Sequence, residues 1–181
     1  MKAARSQWSL VAIRSFLGIV YFSNGLAKLF DFSAFSLGPW SQYLINRGGA
    51  YNIIAANVHN GGIGPLRDFA TGFVLPHWNV LAWVLTGGEL AVGLGLMLGI
   101  LGRIAALGGL AMSLLLFLWS VGAGAWTYDF MYEPILLAIL ALTPGLPGLD
   151  TLLLSLFRRG RPAIPPRREP LTKPAAHSRA H

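Results

Sequence analysis

Glu89 is a carboxylate set inside WVLTGGELAVGLGLMLGILGR, residues 83–103, an otherwise apolar stretch long enough to cross a bilayer. An ionisable side chain at that depth is costly unless it faces a partner or a watery cavity. Two further charges can meet it, Lys28 near the end of the first apolar run and Glu133 near the start of the last. Asn24 lies one turn before Lys28 on the same helical face, and Tyr21 continues that stripe, while Tyr128 and Tyr132 flank Glu133. Lys28, Glu89, Glu133 and Asn24 thus form a candidate intramembrane polar cluster. Such groups can pair, exchange protons, or hydrogen-bond a small headgroup in an apolar slot, as a quinone requires. The simpler reading is that paired charges fix helix register and that the tyrosines form an interfacial belt.

Two other groups belong to the boundaries of the membrane. Arg14, Arg103 and Asp150 make an inner cluster, in which each arginine can also snorkel to the interface. Arg47, Arg67 and His59 lie in a polar connection and are possible anion-binding residues. The chain has no cysteine, which removes disulfides, thiol redox chemistry and cysteine-ligated clusters. His59 and His77 fall in or beside that connection and His177 and His181 near the C-terminus, so no haem held by two mid-helix histidines is expected. No metal site and no covalently bound cofactor is expected, and quinone enters only as a possible substrate.

The elements that must position these residues read as membrane helices. Only 12% of the chain is charged and its mean hydropathy is +0.56, far from the soluble average of about 25% charged. The net charge of +7 comes largely from the C-terminal region, beside apolar helices, where lipid and topology account for it without nucleic acid. The expected fold is all-α, an integral membrane four-helix bundle with a long extracytoplasmic loop between the first and second spans. The spans fall at about 8–30, 77–101, 104–121 and 126–143, the third following a turn at Gly102-Arg103. The first is too long, and interrupted by Arg14, to be a secretory signal core of about 7–15 residues. In the fourth, Pro134 directly follows Glu133, so a kinked helix is expected there. Gly95 and Gly99 have the small-xxx-small spacing that admits a neighbouring helix.

The connection, residues 31–76, is long enough to be functional, with short interfacial helices expected at 40–46 and 49–59. Gly61, Gly62, Gly64 and Pro65 end the second, and Trp40, Tyr43, Tyr51 and Trp78 suit interfacial anchors. Asp150 can cap an interfacial helix at about 150–157, and 158–181 reads as a basic, proline-rich, disordered cytoplasmic tail behind a membrane domain at 1–157. With four spans, Lys2, Arg5, Arg103 and the arginines from Arg158 onward share one side. The positive-inside rule makes that side cytoplasmic, both termini included, for a multi-pass protein of the inner (plasma) membrane. Lys28 lies fourteen residues outward from Arg14, and Glu89 fourteen outward from Arg103. At about 1.5 Å per residue both reach a depth of about 21 Å, where they can form an ion pair.

Arg14, Gly18, Gly25 and Lys28-Leu29, then Glu89, Gly93, Gly99 and Arg103, then Glu133 and the closing Pro144-Gly145 to Leu149-Asp150 resemble the DoxX/DoxD family of four-helix membrane proteins. The likeness covers about residues 8–157, and the GPW and WTYDFMYE segments are more similar to the DoxD branch, the membrane subunit of thiosulfate:quinone oxidoreductase. The resemblance implies a component that helps pass electrons from a small sulfur compound to quinone. The chain departs from the family's Gly-small-Ser-Leu-Asp ending with Pro147-Gly148-Leu149-Asp150, and no residue is assigned as catalytic.

Two readings follow. One is a membrane subunit of a quinone-linked oxidoreductase, with quinone beside Lys28, Glu89 and Glu133 and a thiosulfate-like donor near Arg47, Arg67 and His59. The other is a non-catalytic anchor or assembly factor for a partner oxidoreductase. A transporter is disfavoured, because the chain shows no inverted repeat. The expected partners are membrane lipid and another protein subunit, with homo-oligomerisation through glycine-rich faces also open.

Overall fold

The computed structural model describes residues 2–37, 40–124 and 131–149. In chain order the elements are α1 (Lys2–Phe30), β1 (Ala34–Leu37), β2 (Trp40–Tyr43), α2 (Arg47–Asn60), α3 (Gly64–Phe69) running into a π-helical turn (Ala70–Val74), α4 (Trp78–Leu98), α5 (Gly102–Ser120) and α6 (Tyr132–Leu142). The architecture is a membrane helical bundle. Among the described residues three helices are long and apolar enough to span: Gln7–Phe30 within α1, α4 and α5. The 21 residues of α4 cover about 31 Å, the thickness of a hydrocarbon core.

α1 packs most extensively on α4, and α5 on α6. The α1–α4 contact is antiparallel and close because glycine removes side chains where the backbones meet. A Cβ on Gly93 would stand 2.5 Å from the Phe22 nitrogen, and one on Gly18 would stand 2.7 Å from Met97. Gly99 is not part of a helix–helix contact stripe, as its spacing from Gly95 suggested. It adopts a left-handed conformation (φ 67°) and ends α4 at Leu98, so the turn into α5 falls at 99–101 rather than at Gly102-Arg103. A Cβ there would also meet Arg14 and the Gly148 backbone. Glycine at a left-handed helix stop relieves the Cβ clash, a conformational role that outranks the packing motif.

α6 has 11 residues, about 16 Å of helix, and residues 126–130 of the expected span lie outside the described residues. Pro134 sits in its first turn, where a missing N–H breaks no intrahelical bond, so no interior kink is required. The connection between α1 and α4 is a folded layer. The helix expected at 49–59 is present as α2, but the one expected at 40–46 is a strand: β2 pairs antiparallel with β1, Ala34 opposite Tyr43 and Leu37 opposite Trp40. Aromatic and hydroxyl residues at 40–43 favour a pleated ribbon over a helix of seven residues. α3 and its π-helical extension cover part of what read as a loop. Asp150, the helix expected behind it and the tail at 158–181 lie outside the described residues.

Two apolar cores result. Leu17, Tyr21, Val92, Leu96, Leu137 and Leu140 fill the centre of the bundle. Ile54, Val58, Ala70, Val74 and Trp119 join the connecting layer to α5. Trp119 Nε1 donates to the Leu66 carbonyl at 2.9 Å, which fixes that layer as a cap over one end of the bundle.

Candidate functional site: a polar cluster at a capped cavity

Beneath the cap lies a cavity of about 490 Å³, lined from α1, α4, α5, α6 and the cap. Its wall is largely apolar, with Ile53, Phe69, Phe73 and Trp78 on the cap side, and its polar residues are Tyr21, Asn24, Lys28, Glu89, Ser113 and Glu133. The size and mixture match a site for a small molecule with one polar end.

Antiparallel packing of α1 on α4 brings Lys28 Nζ to 2.9 Å from Glu89 Oε2. Lys28 is only 2% exposed and Glu89 12%, so an unpaired charge on either would be costly. The contact is an ion pair by distance, yet Oε2 is not met along a hydrogen-bonding direction. The aligned hydrogen bond from Lys28 Nζ goes instead to the Ile45 carbonyl, at 2.9 Å. Asn24 completes this arrangement. Its Oδ1 accepts from the Ile45 N–H at 2.9 Å while its Nδ2 donates to Val20 O at 3.0 Å. Two side chains one turn apart on α1 therefore hold both polar groups of a single cap residue.

Glu133 enters from the first turn of α6 and lines the same cavity, whose wall also includes Tyr21. The Tyr21 hydroxyl donates to the Gly109 carbonyl at 3.0 Å, linking α1 to α5. Tyr132 is 57% exposed and does not line the cavity, and Tyr128 lies outside the described residues.

The inner residues gather at the opposite end. Arg14 is buried beside Gly99 and Gly102 at the α4–α5 turn, and Arg103 Nε donates to the Ala141 carbonyl at 2.9 Å. Asp150 is outside the described residues. The three anion-binding candidates are not brought into one site. Arg47 opens α2 and His59 is next to last in it, about 18 Å away along the helix. Arg47 lies over the Trp83 ring at 4.4 Å, His59 Nδ1 is 3.1 Å from Asn60 Oδ1, and Arg67, half exposed, is 3.9 Å from Asp68. Among the described residues no three His, Cys, Asp or Glu side chains are grouped to hold a metal.

The cap side of the cavity is not legible in the sequence. Phe69 and Phe73 stand four apart, a helical signal, but Arg67, Asp68 and Gly72 around them read as loop. Ile45 contributes only its backbone, for which a sequence carries no side-chain signal.

A family model described as DoxX matches residues 9–122, from within α1 to just past the end of α5. No curated protein and no solved structure matches the chain.

Proposed function

Because the chain belongs to the DoxX family of membrane proteins, we propose that it is the quinone-binding membrane subunit of an oxidoreductase, drawing on a small sulfur compound such as thiosulfate. The observation that carries this reading is the cavity of about 490 Å³ that joins an apolar wall to Lys28, Glu89, Tyr21 and Glu133. A quinone offers an apolar ring and tail with two carbonyl acceptors. Lys28, whose ammonium keeps a proton beyond its contacts with Ile45 O and Glu89, is the donor for one carbonyl, the Tyr21 hydroxyl serves the other by releasing Gly109 O, and Glu89 and Glu133 are carboxyl groups able to hand over protons. Reduction to the quinol takes two electrons and two protons. The electrons come from the sulfur donor through a partner subunit, because the chain has no cysteine to hold an iron–sulfur cluster. The DoxD-like segments support the sulfur donor, and the basic residues at 2, 5, 103 and from 158 onward support a plasma-membrane orientation with the cap outside and both termini in the cytoplasm. Homo-oligomers fit the same scheme.

One observation favours the anchor or assembly reading instead. Lys28 and Asn24 are both engaged with Ile45, so the polar cluster also serves to seat the cap, a surface on which a partner enzyme can dock. A titration of a short-chain quinone into the protein in lipid nanodiscs separates the two. Saturable binding that is lost in Glu89→Gln and weakened in Tyr21→Phe supports the quinone site. Absence of binding to the wild-type protein overturns it and leaves the anchor reading.

A further inference from the structure

A second pocket, of about 370 Å³, lies at the cap end between the close of α1, the start of α2 and the start of α4, and is separate from the polar cluster. Asp31 and Arg47 both line it, with Asn52 and Asn79 between aromatic residues Tyr51, Trp78 and Trp83. Asp31 and Arg47 do not pair with each other, and among the described residues neither takes part in an ion pair. One pocket therefore presents an exposed anion and a half-buried cation that are not paired with each other.

Asp31 is an unexpected residue at its position. Phe32 N–H donates to Ala27 O at 3.0 Å and Asp31 has φ 58°, the geometry of a Schellman stop in which glycine or asparagine is usual. Aspartate adds a negative charge at the negative end of the α1 dipole, so it works against the helix it terminates. Arg47 is held in place differently. Its guanidinium stacks 4.4 Å over Trp83, which leaves the N–H edge free to meet an oxyanion. Arg47 and Gly48 also open α2, so the positive end of that helix stands on the same wall. Trp83 is 51% exposed and lies one turn and a half into a spanning helix, the level at which aromatic residues meet headgroups.

We propose that this pocket binds a phosphoethanolamine group, with its ammonium on Asp31 and its phosphate on Arg47. The membrane setting makes the headgroup of phosphatidylethanolamine the source to test first. Purified full-length protein in detergent is titrated with phosphatidylethanolamine, phosphatidylcholine or phosphatidylglycerol, and retained lipid is read by native mass spectrometry. Phosphatidylethanolamine should be retained about tenfold better than phosphatidylcholine, whose methylated ammonium cannot donate. Asp31→Asn should erase that preference while leaving the unfolding temperature equal or higher, since asparagine suits the helix stop. Arg47→Gln should weaken phosphatidylethanolamine and phosphatidylglycerol alike. Displacement of the bound lipid by soluble phosphoethanolamine would support the pocket with a free ligand as its source, and resistance to displacement would support it with the lipid. Equal retention of the three lipids, or a preference that survives Asp31→Asn, overturns the proposal.

Discussion

The two ends of the bundle bury cations for different ends. At the α4–α5 turn, Arg14 lies against Gly99 and Gly102, and Arg103 reaches a carbonyl in the last turn of α6. That carbonyl is one of the four that a helix leaves unsatisfied at its C-terminus, so the arginine completes backbone bonding and complements the dipole. At the capped end Lys28 meets Glu89 and the Ile45 carbonyl, and the same group borders a cavity of about 490 Å³. The hydrogen bond that Arg103 makes is to backbone and serves the fold. A cation enclosed on one side and open to a void on the other can act on whatever enters.

The largest test of this contrast is Lys28→Ala. It leaves Glu89 buried without its partner, and the loss in unfolding free energy should be about 3–5 kcal/mol. Replacing both members, Lys28→Met with Glu89→Leu, should recover most of that stability while quinone binding stays lost. If the double variant is as unstable as the single one, the pair is not the term that holds this end. Arg103→Met should cost less, about 1.5 kcal/mol, because it removes one hydrogen bond from a charged donor that is itself exposed. A quinone titration on that variant should match the wild type. A changed affinity would mean that the two ends are coupled and that the division between them is false.

Packing supplies a smaller contrast along one helix. Gly93→Ala forces a methyl group against the Phe22 backbone and should cost about 1–3 kcal/mol by prising α1 from α4. Gly87→Ala, where nothing lies within 4 Å of an added Cβ, should be neutral or stabilising by up to about 1 kcal/mol. Since Lys28 and Glu89 come from these two helices, Gly93→Ala should also weaken quinone binding and Gly87→Ala should not. Unfolding and titration of the same two samples check both statements.

What could be read from the sequence follows the same division. Helices with a constant rise convert residue number into depth, so Lys28 and Glu89, each fourteen residues from an arginine at the far boundary, were expected side by side. That arithmetic fails wherever the chain stops being helical. The Ile45 peptide returns to α1 after a hairpin and a separation of seventeen residues, and no residue type marks the return. Gly99 shows the same limit at one position: its spacing from Gly95 suits a contact stripe, while its left-handed conformation is decided by the turn that follows. Arg47, Arg67 and His59 share a charge type and a connection, but α2 and α3 carry them apart.

The smallest expected loss concerns how firmly the cap is seated. Trp119 belongs to the core that joins the cap to α5, and its indole nitrogen donates to Leu66 O across a separation of 53 residues. Trp119→Phe keeps most of the apolar contact and removes the donor, leaving a carbonyl of α3 without that bond. The expected loss is about 1 kcal/mol, the usual net value of one hydrogen bond. Its consequence for the cavity is more informative than its size. Leu66 lies just before Phe69 and Phe73 of the cavity wall, so looser docking of this segment should speed quinone exchange at both association and dissociation, with little change in affinity. Lys28 and Asn24 hold the cap independently at Ile45, which keeps the polar cluster assembled. Stopped-flow exchange of a short-chain quinone measures both rates. Unchanged rates would mean that this edge of the cap does not limit entry, and that the ligand passes between helices directly from the lipid.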